Sequence, residues 1–145
     1  MAKRCIVVGV DRSSGAEAAM AWCAEVAGPL DAVVIAVHVL PPLMQMVPPP
    51  MGSAPLSYSE ESRQLYRDDL AQRCEPLQDA GVECETVLEE GTAAETLMRI
   101  ADEREATMIV VGRRGSGGFA ELLLGSVPHQ LSHHARRPVV VVPAQ

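Results

Sequence analysis

An α/β fold, with a five-stranded parallel sheet between two layers of helices as a three-layer sandwich, is what this 145-residue chain predicts. Three observations carry that expectation. Five short apolar runs, at residues 5–10, 32–40, 82–88, 107–111 and 139–142, are separated by helix-sized stretches, as in a βαβ series. The first, second, fourth and fifth are almost continuously apolar and rich in Val and Ile, the pattern of parallel strands covered on both faces. The third alternates, Val82-Glu-Cys-Glu-Thr-Val87, and so belongs at a sheet edge.

The intervening helices carry their own signals. After the first strand, Ser14-Gly-Ala-Glu17 reads as a capping box, in which hydroxyl and carboxylate each satisfy an orphan N–H, and Gly28-Pro29 reads as the stop. Beyond the second strand, residues 41–58 are rich in Pro and Met and predict a long loop, since prolines interrupt both helix and central strand. Tyr66, Leu70, Cys74 and Leu77 recur at spacings of four, four and three, one apolar helical stripe, with Pro76 set to kink or shorten its end. Thr92-Ala-Ala-Glu95 predicts a second capping box. The last helix begins at Ser126-Val-Pro128, proline being tolerated in a first turn, and runs to about Ala135 before Pro138 introduces the final strand. Right-handed crossovers then place helices on both faces.

Composition bounds the function. A length of 145 residues with 48% apolar side chains suits one domain, 1–145. Lys and Arg number 12 against 19 Asp and Glu, a net charge of -7, so a phosphate backbone finds no basic face. Aromatic residues are only 3%, too few for platforms that stack single strands, and nucleic acid is not the expected partner. Cys5, Cys23, Cys74 and Cys84 have no metal or redox spacing and read as reduced thiols. The apolar run at residues 5–10 is too short for a signal-peptide core or a membrane span, and a cytoplasmic protein is expected.

The segment that points to chemistry follows the fourth strand: Gly112-Arg-Arg-Gly115, nine residues, then Gly125-Ser126, with a further glycine at Gly117. Glycines let the backbone approach a ligand, and a helix opening at Ser126 adds a hydroxyl beside orphan N–H groups, so the segment suits phosphate oxygens. A strand-to-helix connection usually takes about 2–6 residues, which makes a bare loop the weaker reading. It is not a Walker A sequence, lacking Gly-Lys-[Ser/Thr], nor Gly-x-Gly-x-x-Gly. In open α/β sheets ligands lie beyond the carboxyl ends of the strands where strand order reverses. Asp11, Val39 and the Gly112 segment then converge on one crevice, with Asp11 accepting from ribose hydroxyls and the backbone near Val39 meeting a base edge. Each has a plainer reading: Asp11 as a turn former before the first helix, Gly112 as the residue that lets the strand turn.

Gly112-x2-Gly115-x9-Gly125-Ser126 resembles the nucleotide-binding signature of the universal stress protein family. So do Ile6-Val-Val-Gly-Val-Asp11 with Ser13, His38-Val39, Gly91-Thr-Ala-Ala94, Met108-Ile-Val-Val-Gly112 and Pro138-Val-Val-Val-Val142-Pro143. The resemblance covers nearly the whole chain and implies the adenine nucleotide alpha hydrolase-like sheet order 3-2-1-4-5. It implies the ATP-binding subclass, with Asp11 on ribose, Val39 on adenine, and Gly112, Gly115, Gly125 and Ser126 on phosphates. The full expected contact set is Val10, Asp11, Ser13, Val39, Val111, Gly112, Arg113, Gly115, Gly117, Gly125, Ser126 and Val127. The family commonly pairs through its last strand, which implies a homodimer edge at Val139–Val142.

Arg113 and Arg114 either neutralise phosphates or are solvated surface cations. The stretch 41–58 can cover the base, dock a partner, or do neither. His129 and His133 have a metal-compatible spacing without a local acidic or cysteine ligand, so no metal site is assigned, and His38 reads as a buried, hydrogen-bonded histidine. Arg136 and Arg137 suit the carboxyl end of the last helix. The leading function is an ATP-binding stress or regulatory protein, Mg2+ arriving with the phosphates near Ser116 or Ser126. AMP or cyclic AMP would use the same base and ribose contacts. A slow ATPase or nucleotidyl-transferring enzyme, and a dimeric interaction domain that binds no nucleotide, are the other readings; no catalytic residue is assigned.

Overall fold

The computed structural model describes residues 3–43, 57–114 and 124–144. Five strands, β1 (Arg4–Gly9), β2 (Ala32–Leu40), β3 (Cys84–Glu90), β4 (Met108–Gly112) and β5 (Val139–Val142), form one sheet in the order β3-β2-β1-β4-β5. Every pairing is parallel, with Gly9 opposite Val37 and Val8 opposite Val110. The alternating third run is indeed an edge strand, and β5 forms the other edge.

Alternate side chains of the sheet feed two apolar clusters. Ile6, Val8, Val34, Ala36 and Val110 pack against α1 (Ser14–Leu30), α2 (Glu60–Arg73) and α3 (Glu75–Asp79) through Met20, Cys23, Leu70, Cys74 and Leu77. Val7, Ile35, Val37, Ile109 and Val111 pack on the opposite face against α4 (Ala93–Glu103) and α5 (Ser126–His134) through Leu97, Ile100 and Leu131. Strands so enclosed have no polar face, which explains their unbroken apolar sequence.

The helix ends depart from expectation in instructive ways. Ser13, not Ser14, caps α1: its hydroxyl accepts from the Ala16 N–H at 3.1 Å. Both serines are competent caps, and Asp11 decides between them by accepting from the Ser13 N–H and hydroxyl, which halts the turn one residue earlier. The helix also continues through Gly28-Pro29 to Leu30 and ends at Asp31, which adopts φ 50° and directs its N–H to Ala27 and Gly28 carbonyls. A proline so close to the end removes a single helical bond, so it is tolerated there. Thr92 sits at the cap of α4 by backbone conformation, but its side chain makes no capping bond; its carbonyl accepts from the Thr96 N–H at 3.0 Å. Pro76 has the expected effect, splitting the helical stripe into α2 and α3 at Cys74.

The ends of the Pro- and Met-rich stretch are tied together, the Tyr58 hydroxyl donating to the Pro41 carbonyl. Residues 44–56 lie outside the described residues.

Candidate functional site

Adjacent strands β1 and β4 send the chain to opposite faces of the sheet, β1 into α1 on one side and β4 into α5 on the other. That divergence opens a crevice at the carboxyl ends of the strands. Continuing the β1–β2 register beyond Gly9↔Val37 sets Asp11 level with Val39, and continuing β1–β4 beyond Val8↔Val110 sets Val10 level with Gly112. The three separated pieces of sequence therefore arrive at the same end of three neighbouring strands.

Asp11 is a turn former here. One carboxylate oxygen, Oδ1, accepts from the Ser13 N–H at 2.8 Å and from the Ser13 hydroxyl, locking the first corner of α1. Val10 is buried; its N–H donates to the Val37 carbonyl at 2.8 Å, and its own carbonyl accepts from His38 Nδ1 at 2.6 Å. His38 is thus hydrogen-bonded, as expected, and its ring stacks on Tyr66 with centroids 5.6 Å apart. The Arg12 guanidinium also lies over the Tyr66 ring, 6.0 Å from its centroid, and 4.0 Å from Asp69. The chain has two tyrosines and both join this group, Tyr58 meeting Tyr66 edge-on at 6.1 Å.

The segment after β4 is held on two sides. Gly112 lies against Gly15 in the first turn of α1 so closely that a Cβ on Gly112 would stand 2.5 Å from the Gly15 carbonyl carbon. The Arg113 N–H donates to the Val142 carbonyl at 2.8 Å, and the Arg113 carbonyl accepts from the Gly125 N–H at 2.7 Å. This last bond brings Gly125 to the end of β4, so α5 starts there. The amides of Arg113 and Gly125 are thus engaged within the fold, and Gly112 is packed against the backbone of Gly15. Gly125 caps α5 without a side chain, and Pro128 has no N–H, so the donors at the opening of this helix are the Ser126 and Val127 amides and the exposed Ser126 hydroxyl. Gly115 and Gly117 lie outside the described residues.

Val39, Val111 and Val127 come from β2, β4 and α5 and share one apolar cluster on the α4/α5 side of the sheet. The exposed Arg113 and Arg114 side chains, with Ser14 and Ala144, line a pocket of about 240 Å³. This pocket sits at the α1 corner and is not lined by Val39. The contact of Gly15 with Gly112 is a feature that sequence reasoning missed, although a glycine in the first turn of a helix is itself a signal of close packing. Arg137 pairs with Asp102 of α4 at 3.3 Å, so that arginine does more than face a helix end. His129 and His133 lie with ring centroids 4.6 Å apart; among the described residues no three potential metal ligands cluster. No helix of the described residues is long and apolar enough to cross a membrane.

Residues 3–143 match the universal stress protein family. A universal stress protein of Mycolicibacterium smegmatis is 34% identical over 138 residues, covering 94% of this chain and 47% of that protein. The chain spans about half the length of the curated mycobacterial relatives it matches, 47% and 48% of two of them. Among solved structures, the universal stress protein from Archaeoglobus fulgidus in complex with dAMP is 26% identical, with a TM-score of 0.71 over 98% of this chain and 99% of that one. A universal stress protein in complex with cAMP has a TM-score of 0.72 over 100% of both chains at 24% identity, a likeness of fold. The sheet order, the crevice between β1 and β4 and a family match over almost the full chain agree: the chain belongs to the universal stress protein family.

Proposed function

We propose that this chain binds an adenine nucleotide in the crevice between β1 and β4, and that ATP is the ligand that uses the whole of it. The observation that carries the reading is the bond from the Gly125 N–H to the Arg113 carbonyl, which fixes the amino end of α5 beside the end of β4. An anionic tail there would meet the Ser126 and Val127 amides, the Ser126 hydroxyl and the positive end of the helix dipole, with the Arg113 and Arg114 guanidinium groups near. Gly112, Gly115 and Gly117 would supply close backbone approach. The base would pack on Val39, Val111 and Val127, and the ribose would lie by Val10, Asp11 and Ser13. Mg2+ fits only as a passenger on the phosphates, since a lone hydroxyl gives it one protein ligand.

A nucleoside monophosphate is the second reading. It is favoured by the dAMP complex of the Archaeoglobus fulgidus neighbour and by the two amides already consumed in this fold. Cyclic AMP and AMP need only the base and ribose contacts and a short anionic group. Occupancy would be the protein's signal, read through a homodimer joined at β5, whose four valines are half-buried on an edge strand. Mass spectrometry of small molecules released by denaturing freshly purified protein tests the reading. Stoichiometric ATP supports it, stoichiometric AMP or cyclic AMP selects the second reading, and an absence of nucleotide that persists after incubation with each of them overturns both.

A further inference from the structure

His38 reaches out of its own strand to hold the end of another. On β2, Val34 and Ala36 face α1 and α2, and the alternation of the strand sends the half-buried His38 side chain to the same face. Its Nδ1 lies 2.6 Å from the Val10 carbonyl oxygen. A carbonyl only accepts, so Nδ1 carries the proton, and the neutral ring is the Nδ1–H tautomer. Val10 is thereby gripped by β2 at both ends, since its own N–H donates to the Val37 carbonyl at 2.8 Å. The carbonyl that His38 bonds belongs to the planar peptide between Val10 and Asp11, so this bond sets the direction in which Asp11 leaves β1. Ser13 holds the Asp11 carboxylate from the other side, through its N–H at 2.8 Å and its hydroxyl. The imidazole is itself seated: Tyr66 of α2 stacks on it with 25° between the ring planes, and Tyr58 meets Tyr66 edge-on. Arg12 and Arg63 lie over the Tyr66 and Tyr58 rings at 6.0 Å and 5.9 Å.

We propose that His38 is a positioning residue for ribose recognition: its Nδ1–H bond to the Val10 carbonyl aims the Asp11 carboxylate at the ribose hydroxyls of a nucleotide. The proposal rests on the nucleotide reading above and says which group tunes it. In this role His38 acts through the Val10–Asp11 peptide and not by touching the ligand. A ligand carrying both ribose hydroxyls gains from an acceptor already in line, because the alignment need not be won on binding. A ligand lacking them gains nothing from that alignment. The contribution of His38 therefore takes the form of discrimination between ribose and its deoxygenated forms, not of general affinity. The stack on Tyr66 fixes the plane of the ring and so the direction of its N–H; the donor is the part that Asp11 depends on.

The experiment titrates ATP and AMP, each beside its 2′,3′-dideoxy form, into nucleotide-free wild type, His38→Phe and His38→Asn, with a thermal melt of each protein. Phenylalanine keeps an aromatic ring for Tyr66 and has no donor; asparagine places an amide N–H where Nδ1 stands and has no ring. Wild type is expected to prefer the ribonucleotide by roughly tenfold. His38→Phe should lose that preference by weakening the ribonucleotide alone, and His38→Asn should keep most of it. A preference retained in His38→Phe, or an equal weakening of both forms as a purely structural role would give, overturns the proposal, and so does a wild type indifferent to the ribose hydroxyls. In those results nucleotide binding itself survives, whereas a wild type that binds none of the ligands removes that reading and this proposal together. Should His38→Phe fail to fold, two results decide in its place: a ribose preference kept by His38→Asn, and an Nδ1–H tautomer of the neutral wild-type ring by nitrogen NMR. Loss of that preference or an Nε2–H tautomer overturns the proposal.

Discussion

Gly15 and Gly112 meet backbone to backbone, joining the first turn of α1 to the end of β4 across 97 positions of sequence; a Cβ on Gly112 would stand 2.7 Å from the Gly15 Cα and carbonyl oxygen. Backbone atoms cannot swing aside as a side-chain tip can, so a methyl group here forces the helix off the sheet. Gly112→Ala is expected to destabilise by about 3 kcal/mol, the upper part of the range for overpacking, measured as a lower denaturant midpoint. Gly28→Ala is the control. It lies in the same α1 with nothing within 4 Å of its added Cβ, and should be neutral or stabilising by up to about 1 kcal/mol.

Ser13 joins two tasks, capping α1 and holding the Asp11 carboxylate in its turn. Ser13→Ala should cost about 1 kcal/mol of stability, the usual loss of a cap. On the proposed reading it should also weaken nucleotide binding, because Asp11 loses the hydroxyl that orients it. Equal affinity in wild type and variant, measured by titration calorimetry, would separate the cap from the site.

Cys23 carries a pH signature. Burial, with a smaller contribution from Cys84, raises its thiol from 9.0 to about 12. The folded state therefore keeps a proton that the unfolded chain releases above pH 9.0. The stability this represents is complete below that pH and is lost as pH climbs toward about 12; the local slope approaches ~1.4 kcal/mol per pH unit. Denaturation midpoints collected from neutral to alkaline pH should fall with that slope, and Cys23→Ala should flatten it. An unchanged slope in the variant would place the titrating group elsewhere.

Much of the architecture was legible because it is written in local apolar pattern. All five strands lie within two residues of the runs that predict them, the alternation at 82–87 marks the edge strand, and Pro76 breaks its helix where a missing N–H must. What was not legible depends on contacts between distant segments or on competition between equivalent groups. Ser13 and Ser14 are interchangeable as caps until Asp11 chooses. The capping role of Thr92 is carried by its backbone alone. No spacing shows that Gly112 packs against Gly15, or that the Arg113 and Gly125 amides bond within the fold. The stacking of His38 on Tyr66 follows from how α2 packs on the sheet, which no spacing records.

The central claim is that the crevice between β1 and β4 holds an adenine nucleotide by an anionic tail. Its most direct measurement is titration of ATP, with AMP and cyclic AMP in parallel, into nucleotide-free wild type and Gly115→Asp. The account predicts saturable binding of at least one of them to wild type at one per chain, weakened tenfold or more, about 1.4 kcal/mol, by the carboxylate set among the glycines. Binding that is equally strong in the variant, or absent from the wild type for all three ligands, would contradict it.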